Sequence, residues 1–249
     1  MKLKATLLLS TLAVSASAFA QSKPPEPDYT LSFNAGVVSD YRYRGISQSR
    51  LKPALQGGVD YAHKSGFYLG AWGSSIKWIK DSGSTDGSFE LDLYGGYKGE
   101  LTKGLGYDVG VLRYEYVGNK LGAVSGYADA NTTEVYGALT YGVVTAKYSH
   151  SLTNLFGNIN SKGSQYLDLS ATFDLGSGFT LTPHVGRQLM NNNPTYHYTD
   201  YSVTLAKDLG NGLSASLMVV DTNAQVTPYT WGGKYVGKSG AVVGLKYSF

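Results

Sequence analysis

Charged residues at alternate positions, along stretches that otherwise read as apolar strands, carry the chemistry of this chain. In Val37-Val-Ser-Asp-Tyr-Arg-Tyr-Arg44, an extended backbone puts Asp40, Arg42 and Arg44 on one parity, opposite Val37, Ser39, Tyr41 and Tyr43. Gln56 and Asp60 share a face further on. Glu90, Asp92 and Lys98 share another, and Asp108, Glu134, Lys147, Asp168, Asp200 and Lys246 each stand opposite an apolar row. Strands that are apolar on one side and ionisable on the other suit a barrel with lipid outside and water inside, where rings of charge sort solutes. The same residues also suit a filled interior, with Arg42 and Arg44 paired to Asp40 or Asp60. By this parity the lumen holds eight acids (Asp40, Asp60, Glu90, Asp92, Asp108, Glu134, Asp168, Asp200) against five bases (Arg42, Arg44, Lys98, Lys147, Lys246), a net of −3.

Catalytic constellations are weak by comparison. His63-Lys-Ser65 places its His and Ser in a turn, and the adjacent His150 and Ser151 point to opposite faces of a strand. His197 and Asp200 suggest a dyad beside a loop, but no nucleophile, base and orienting group come together as a set. No metal-ligand spacing, phosphate loop or nucleotide fingerprint is present, and there is no cysteine. The expectation is a protein with no catalytic residue, metal or cofactor.

The elements that position the charges are short amphipathic strands. Leu31, Phe33, Ala35 and Val37 alternate with polar or small residues. So do Leu55 to Tyr61, Phe67 to Gly73, Phe89 to Tyr97, Val135 to Tyr141, Leu167 to Phe173, Tyr201 to Leu205 and Leu213 to Val219. Pairing Tyr61 with Phe67 across a turn at Ala62–Gly66 sets both apolar rows on one side. Arg113 and Glu115 interrupt the row Tyr107, Val109, Val111, and a bulge that moves the row to Tyr114 and Tyr116 would restore it. About twelve strands result. Short turns alternate with longer connections (45–52, 80–88, 118–132, 151–164, 190–197, 223–239), which places the long ones outside and both chain ends in the periplasm. Tyr61, Phe67, Tyr97, Tyr107, Tyr141, Phe173, Phe179 and Phe249 then collect at one rim as an aromatic girdle. A balance of 32 glycines and 21 tyrosines fits strands that curve and rings that sit at a membrane interface.

Both ends of the chain agree. Residues 1–20 read as a cleaved secretory signal peptide: Lys2 and Lys4, an apolar run from Ala5 to Val14, then Ala18-Phe-Ala20. That run is too brief to cross ~30 Å of hydrocarbon. Residues 21–28 form a flexible Pro-rich segment, and 29–249 the barrel. Loss of two lysines takes 21 bases against 18 acids to 19 against 18, so no basic surface remains for nucleic acid. At the other end, Ala241, Val243, Leu245, Tyr247 and Phe249 share a face. This pattern resembles the closing strand of bacterial outer-membrane barrels, in which a terminal Phe belongs to the signal read by the assembly machinery. That resemblance implies an assembly-signal role for Tyr247 and Phe249.

The segment SDYRYRGISQSRLKPALQGGVDYAHKSGFYLGAW, Ser39 to Trp72, resembles the amino-terminal signature of the TorF-type porins, also called the Gcw_chp family. The similarity covers the whole mature chain. It implies a bacterial outer-membrane β-barrel porin and supplies neither a solute nor a set of functional residues.

The combined expectation is an all-β, transmembrane antiparallel barrel of about twelve strands in the outer membrane of a Gram-negative cell. It would be a passive channel for small hydrophilic solutes, with outer-membrane lipids and the barrel assembly machinery as partners. Asp40, Arg42, Arg44, Gln56, Asp60, Glu90, Asp92, Lys98, Glu134, Lys147, Asp168 and Lys246 would line its pore. The alternative is a closed barrel with a structural or surface-interaction role; a soluble periplasmic β-protein comes third.

Overall fold

A computed structural model describes residues 27–249, so the expected signal peptide and most of the Pro-rich segment lie outside the described residues. Twelve strands form the wall: β1 Tyr29–Val38, β2 Ala54–His63, β3 Phe67–Ser75, β4 Phe89–Thr102, β5 Leu105–Val117 and β6 Thr132–Tyr141. They continue as β7 Val144–Ser151, β8 (Gln165–Ala171 and Phe173–Gly176, interrupted at Thr172), β9 Phe179–Leu189, β10 Tyr198–Gly210, β11 Leu213–Thr222 and β12 Gly240–Ser248. Each strand pairs antiparallel with the next in sequence, and β12 returns to β1, so the sheet is closed. Closure leaves no strand edge unpaired, as a wall in hydrocarbon requires.

The outer face is apolar. Leu55, Leu69, Leu93, Val109, Leu139, Leu167, Val203, Leu217 and Val243 are all exposed, which makes sense only if lipid is the solvent they meet. At the short-turn end aromatic rings stack in pairs: Tyr29 with Tyr61, Tyr97 with Tyr107, and Phe249 with both Phe33 and Tyr247.

Tyrosine and glycine abundance has a common cause inside. Luminal Tyr68, Tyr94 and Tyr136 each lie across the sheet from a luminal glycine, at Gly96, Gly70 and Gly110. A Cβ on Gly110 would stand 2.6 Å from the Tyr136 hydroxyl, and Gly70 and Gly96 are as crowded by their tyrosines. The rings lie over the glycines, where a larger residue would collide with them.

Three details of strand geometry depart from expectation. Tyr61 pairs with Leu69 rather than Phe67; the offset of two keeps every side chain on its expected face. No bulge interrupts β5 at Arg113. The ladder to β4 is regular from Val117 to Gly106, Tyr114 and Tyr116 are buried inside, and Arg113 and Glu115 face outward. Those two charges are tolerated because they pair with each other (Arg113 Nη2 to Glu115 Oε2, 2.9 Å), beside Thr133 and Asn131 at the long-loop rim. Finally, β1 stops at Val38. Asp40 accepts hydrogen bonds from Ser47 (2.5 Å) and Ser49 (3.1 Å), and these turn residues 39–53 inward as a loop with a short hairpin, Arg42–Tyr43 against Ile46–Ser47. The strand parity read for Asp40, Arg42 and Arg44 therefore ends too late. Tyr41 is buried as well, and Tyr43 packs against the same internal cluster.

Candidate functional site: the lumen and its infolded loop

The infolded loop crosses the lumen and is fixed by charge. Its tip, Gly45, adopts φ +77°, and a Cβ there would meet the side chains of Asp200 on β10 and Thr222 on β11 at 2.7 and 2.5 Å. Only glycine fits that position. Beside it, Arg44 reaches Glu134 on β6 (2.7 Å) and Gln188 on β9 (2.9 Å), and its guanidinium lies 4.2 Å from the Tyr166 ring centroid. Tyr114 donates a second bond to Glu134 (3.1 Å), so this buried carboxylate is paired and hydrogen-bonded. Arg42 bonds Asp40 (2.5 Å) and the carbonyls of Gly45 and Lys238 (2.9 Å each), which ties the loop to the last long connection. Both arginines thus have acidic partners, Asp40 and Glu134. Asp60 instead accepts from Tyr94.

The charged residues fall into separate groups. Arg42, Arg44, Glu134, Lys147 and Asp168 line a cavity of about 330 Å³ beneath the loop, together with His184 and Asp200. Lys147 lies 4.0 Å from the Tyr136 ring centroid. Gln56 and Lys246 line a second cavity of about 220 Å³ with Asn34, Trp72 and Ser214. Glu90 and Asp92 are buried among aromatics instead; Glu90 accepts from the Tyr41 hydroxyl at 2.7 Å, and Asp92 Oδ1 has no partner among the described residues. Lys98 sits 5.6 Å from the Tyr68 ring, whose hydroxyl bonds Asp108 (2.5 Å).

His184 is a luminal residue that the histidine patterns do not single out. Its Nε2 lies 2.8 Å from Asp168 and its Nδ1 3.7 Å from Asp200. Alternation alone places it inside, because it stands between the outward Pro183 and Val185. Both ring nitrogens face carboxylates, which leaves none to activate the cross-strand Ser202. His197 bonds the Met190 carbonyl (2.9 Å) and Asp200 bonds Tyr166, so those two residues do not form the suggested dyad. His63 bonds Ser65 (2.8 Å) in an exposed turn.

Above the charged cavity, at the long-loop end, the loops enclose aromatics. Trp78, Tyr116, Tyr198, Tyr229 and Trp231 surround a cavity of about 60 Å³, and Tyr43 is common to its wall and that of the larger cavity below. Burial pushes the Tyr229 phenol well above its ordinary value and raises that of Tyr196, so both stay neutral. Tyr229 donates to the Tyr196 carbonyl (2.9 Å).

Three solved barrels share this architecture. The chain superimposes on a KdgM porin with a TM-score of 0.55 and 9% identity, covering 88% of this chain and 98% of that one. A KdgM porin in complex with disordered oligogalacturonate gives the same score at 10% identity, with 88% and 98% covered. A NanC porin gives 0.55 at 12%, with 88% and 99% covered. At these identities the likeness establishes a common fold. No curated protein sequence matches the chain. A family model matches residues 22–249, and the chain belongs to that family, described as bacterial protein of unknown function (Gcw_chp).

Proposed function

We propose that this protein is an outer-membrane channel that passes small hydrophilic solutes by diffusion. The observation that carries the reading is the pair of polar cavities inside a closed, lipid-compatible wall, separated from the long-loop mouth by an infolded loop. A wall of twelve strands encloses more space than an eight-stranded barrel fills with side chains. The charged side chains of both cavities would set size and charge preference, and the long connections would face outside the cell. The TorF-type resemblance fits this reading, as do cleavage after Ala20, outer-membrane lipid as the surrounding solvent and delivery by the barrel assembly machinery.

A second reading has its own support. The infolded loop and the aromatic cluster around Trp78 and Ile79 occupy the long-loop end, as a closed structural barrel would require. Recording from refolded protein in a planar bilayer separates the two. Discrete conductance steps are expected for the channel; a silent, correctly folded barrel would leave the structural role.

A further inference from the structure

We infer that the aromatic cavity at the long-loop mouth is a binding site for an uncharged saccharide ring, held there before it passes Tyr43. The proposal names a solute class for the channel and rests on the channel reading for the onward route.

Three features of the cavity point to this ligand. First, its walls are rings: Trp78 and Trp231 lie 5.7 Å apart by centroid, Tyr116 meets Trp78 edge-on at 5.0 Å, and Tyr229 lies 6.0 Å from Trp231. Aromatic faces carry partial negative charge and attract the slightly positive C–H edges that a pyranose presents on its flat sides.

Second, no carboxylate, ammonium, guanidinium or imidazole lines it. An anionic or cationic solute would give up its hydration there without compensation, whereas a neutral polyol would lose much less. The lumen just below is densely charged, so neutrality here is a local property of the loops.

Third, the polar groups present suit hydroxyls. Gln48, Gln188, Asn158 and Ser82 contribute amides and a hydroxyl to the wall. Trp78 Nε1 is buried with no hydrogen-bond partner among the described residues. Buried groups of this kind normally find a hydrogen bond, and a polyhydroxylated ring supplies donors and acceptors together. The enclosed space, about 60 Å³, is less than half the ~150 Å³ that holds benzene in an engineered cavity, so the ring would be gripped by one edge with the rest in the long-loop mouth.

The test uses the refolded full barrel in detergent and follows tryptophan fluorescence, since two of the three tryptophans, Trp78 and Trp231, line the cavity. Methyl α-glucoside should give a saturable change in the millimolar range, and sodium glucuronate should bind at least about tenfold more weakly. Tyr127→Ala and Tyr196→Ala each remove a ring from the wall, spare both reporters and should weaken the glucoside several-fold; Tyr196→Phe keeps the ring and should bind nearly as well as the parent. Folding of every variant is checked by its heat-dependent gel mobility. No saturable response to the glucoside, equal binding of glucuronate, or folded Ala variants indistinguishable from the parent would each overturn the proposal. Bilayer recording separates this failure from that of the channel reading: conductance without glucoside binding removes only the saccharide assignment, and binding without conductance removes the onward route.

Discussion

Replacing Arg44 with Gln tests whether the infolded loop governs passage. Arg44 and Glu134 are almost fully buried, with side chains 5% and 2% exposed, and the guanidinium also serves Gln188 and Tyr166. A glutamine leaves Glu134 with the Tyr114 hydroxyl alone. Breaking one side of a buried pair costs ~3–5 kcal/mol because the remaining charge is uncompensated. The barrel ladder does not depend on Arg44, so the wall stays folded and the strain falls on the loop, which keeps its ties through Arg42 and the Ser47 N–H to the Val236 carbonyl (2.9 Å). An anchor of that size shifts the balance between inward and released loop by about two to three and a half orders of magnitude. Single-channel recording should then show larger or longer openings in Arg44→Gln, while gel mobility before and after boiling stays that of a folded barrel. Glu134→Gln should act in the same direction. The double variant leaves no buried charge unpaired and should recover part of the parent's behaviour, as coupled residues do. Unchanged conductance and dwell times in both single variants would refute the anchor. Strictly additive effects in the double variant would show that the two residues act separately.

Further outcomes are expected. Unboiled protein should migrate differently from boiled protein on dodecyl sulfate gels and fractionate with the outer membrane; recovery as a soluble periplasmic protein would end the barrel reading. Removing Phe249 takes away a stacked ring and the two backbone bonds it exchanges with Phe33 (2.8 and 3.0 Å), so folded protein in the outer membrane should fall; unchanged levels would contradict this. With both arginines committed to Asp40 and Glu134, the remaining luminal acids outnumber Lys98, Lys147 and Lys246. Reversal potentials should therefore show a weak cation preference at low salt that fades above ~0.1 M, where the Debye length drops to about 10 Å; an anion preference would refute the count. Gly110→Val forces side-chain atoms into the Tyr136 ring and should cost ~1–3 kcal/mol, seen as a lower denaturant midpoint.

The wall was legible in the sequence because its cause is local. Lipid outside and polar space inside impose a period of two, which even Leu169–Ala171 and Leu217–Val219 obey without help from distant residues. The infolded loop was not legible, because Arg44 finds Glu134 ninety positions away and Arg42 finds Lys238 across the closure. Alternation past Val38 looked like more strand, whereas Asp40 with Ser47 and Ser49 turns the backbone. Arg113 and Glu115 misled for a related reason. Two charges in an apolar row suggest a change of register, yet at the rim each is the other's partner and the row continues beneath them. His184 is legible from parity alone, standing between the outward Pro183 and Val185, although no serine-histidine spacing marks it.

The join between β12 and β1 has a consequence for how the molecule comes into being. Every other pairing links neighbours along the chain, so the wall grows hairpin by hairpin, each step local and fast. The join alone brings together segments as distant as Ser39 and Val243, and loop-closure entropy over that separation is on the order of 5 kcal/mol. Until then the sheet has two raw borders, each a template for any passing strand. The rung between Phe33 and Phe249 is among the contacts that end this interval. Those two residues act as the clasp of a bracelet: they add little to the band, but they decide when it stops being a ribbon.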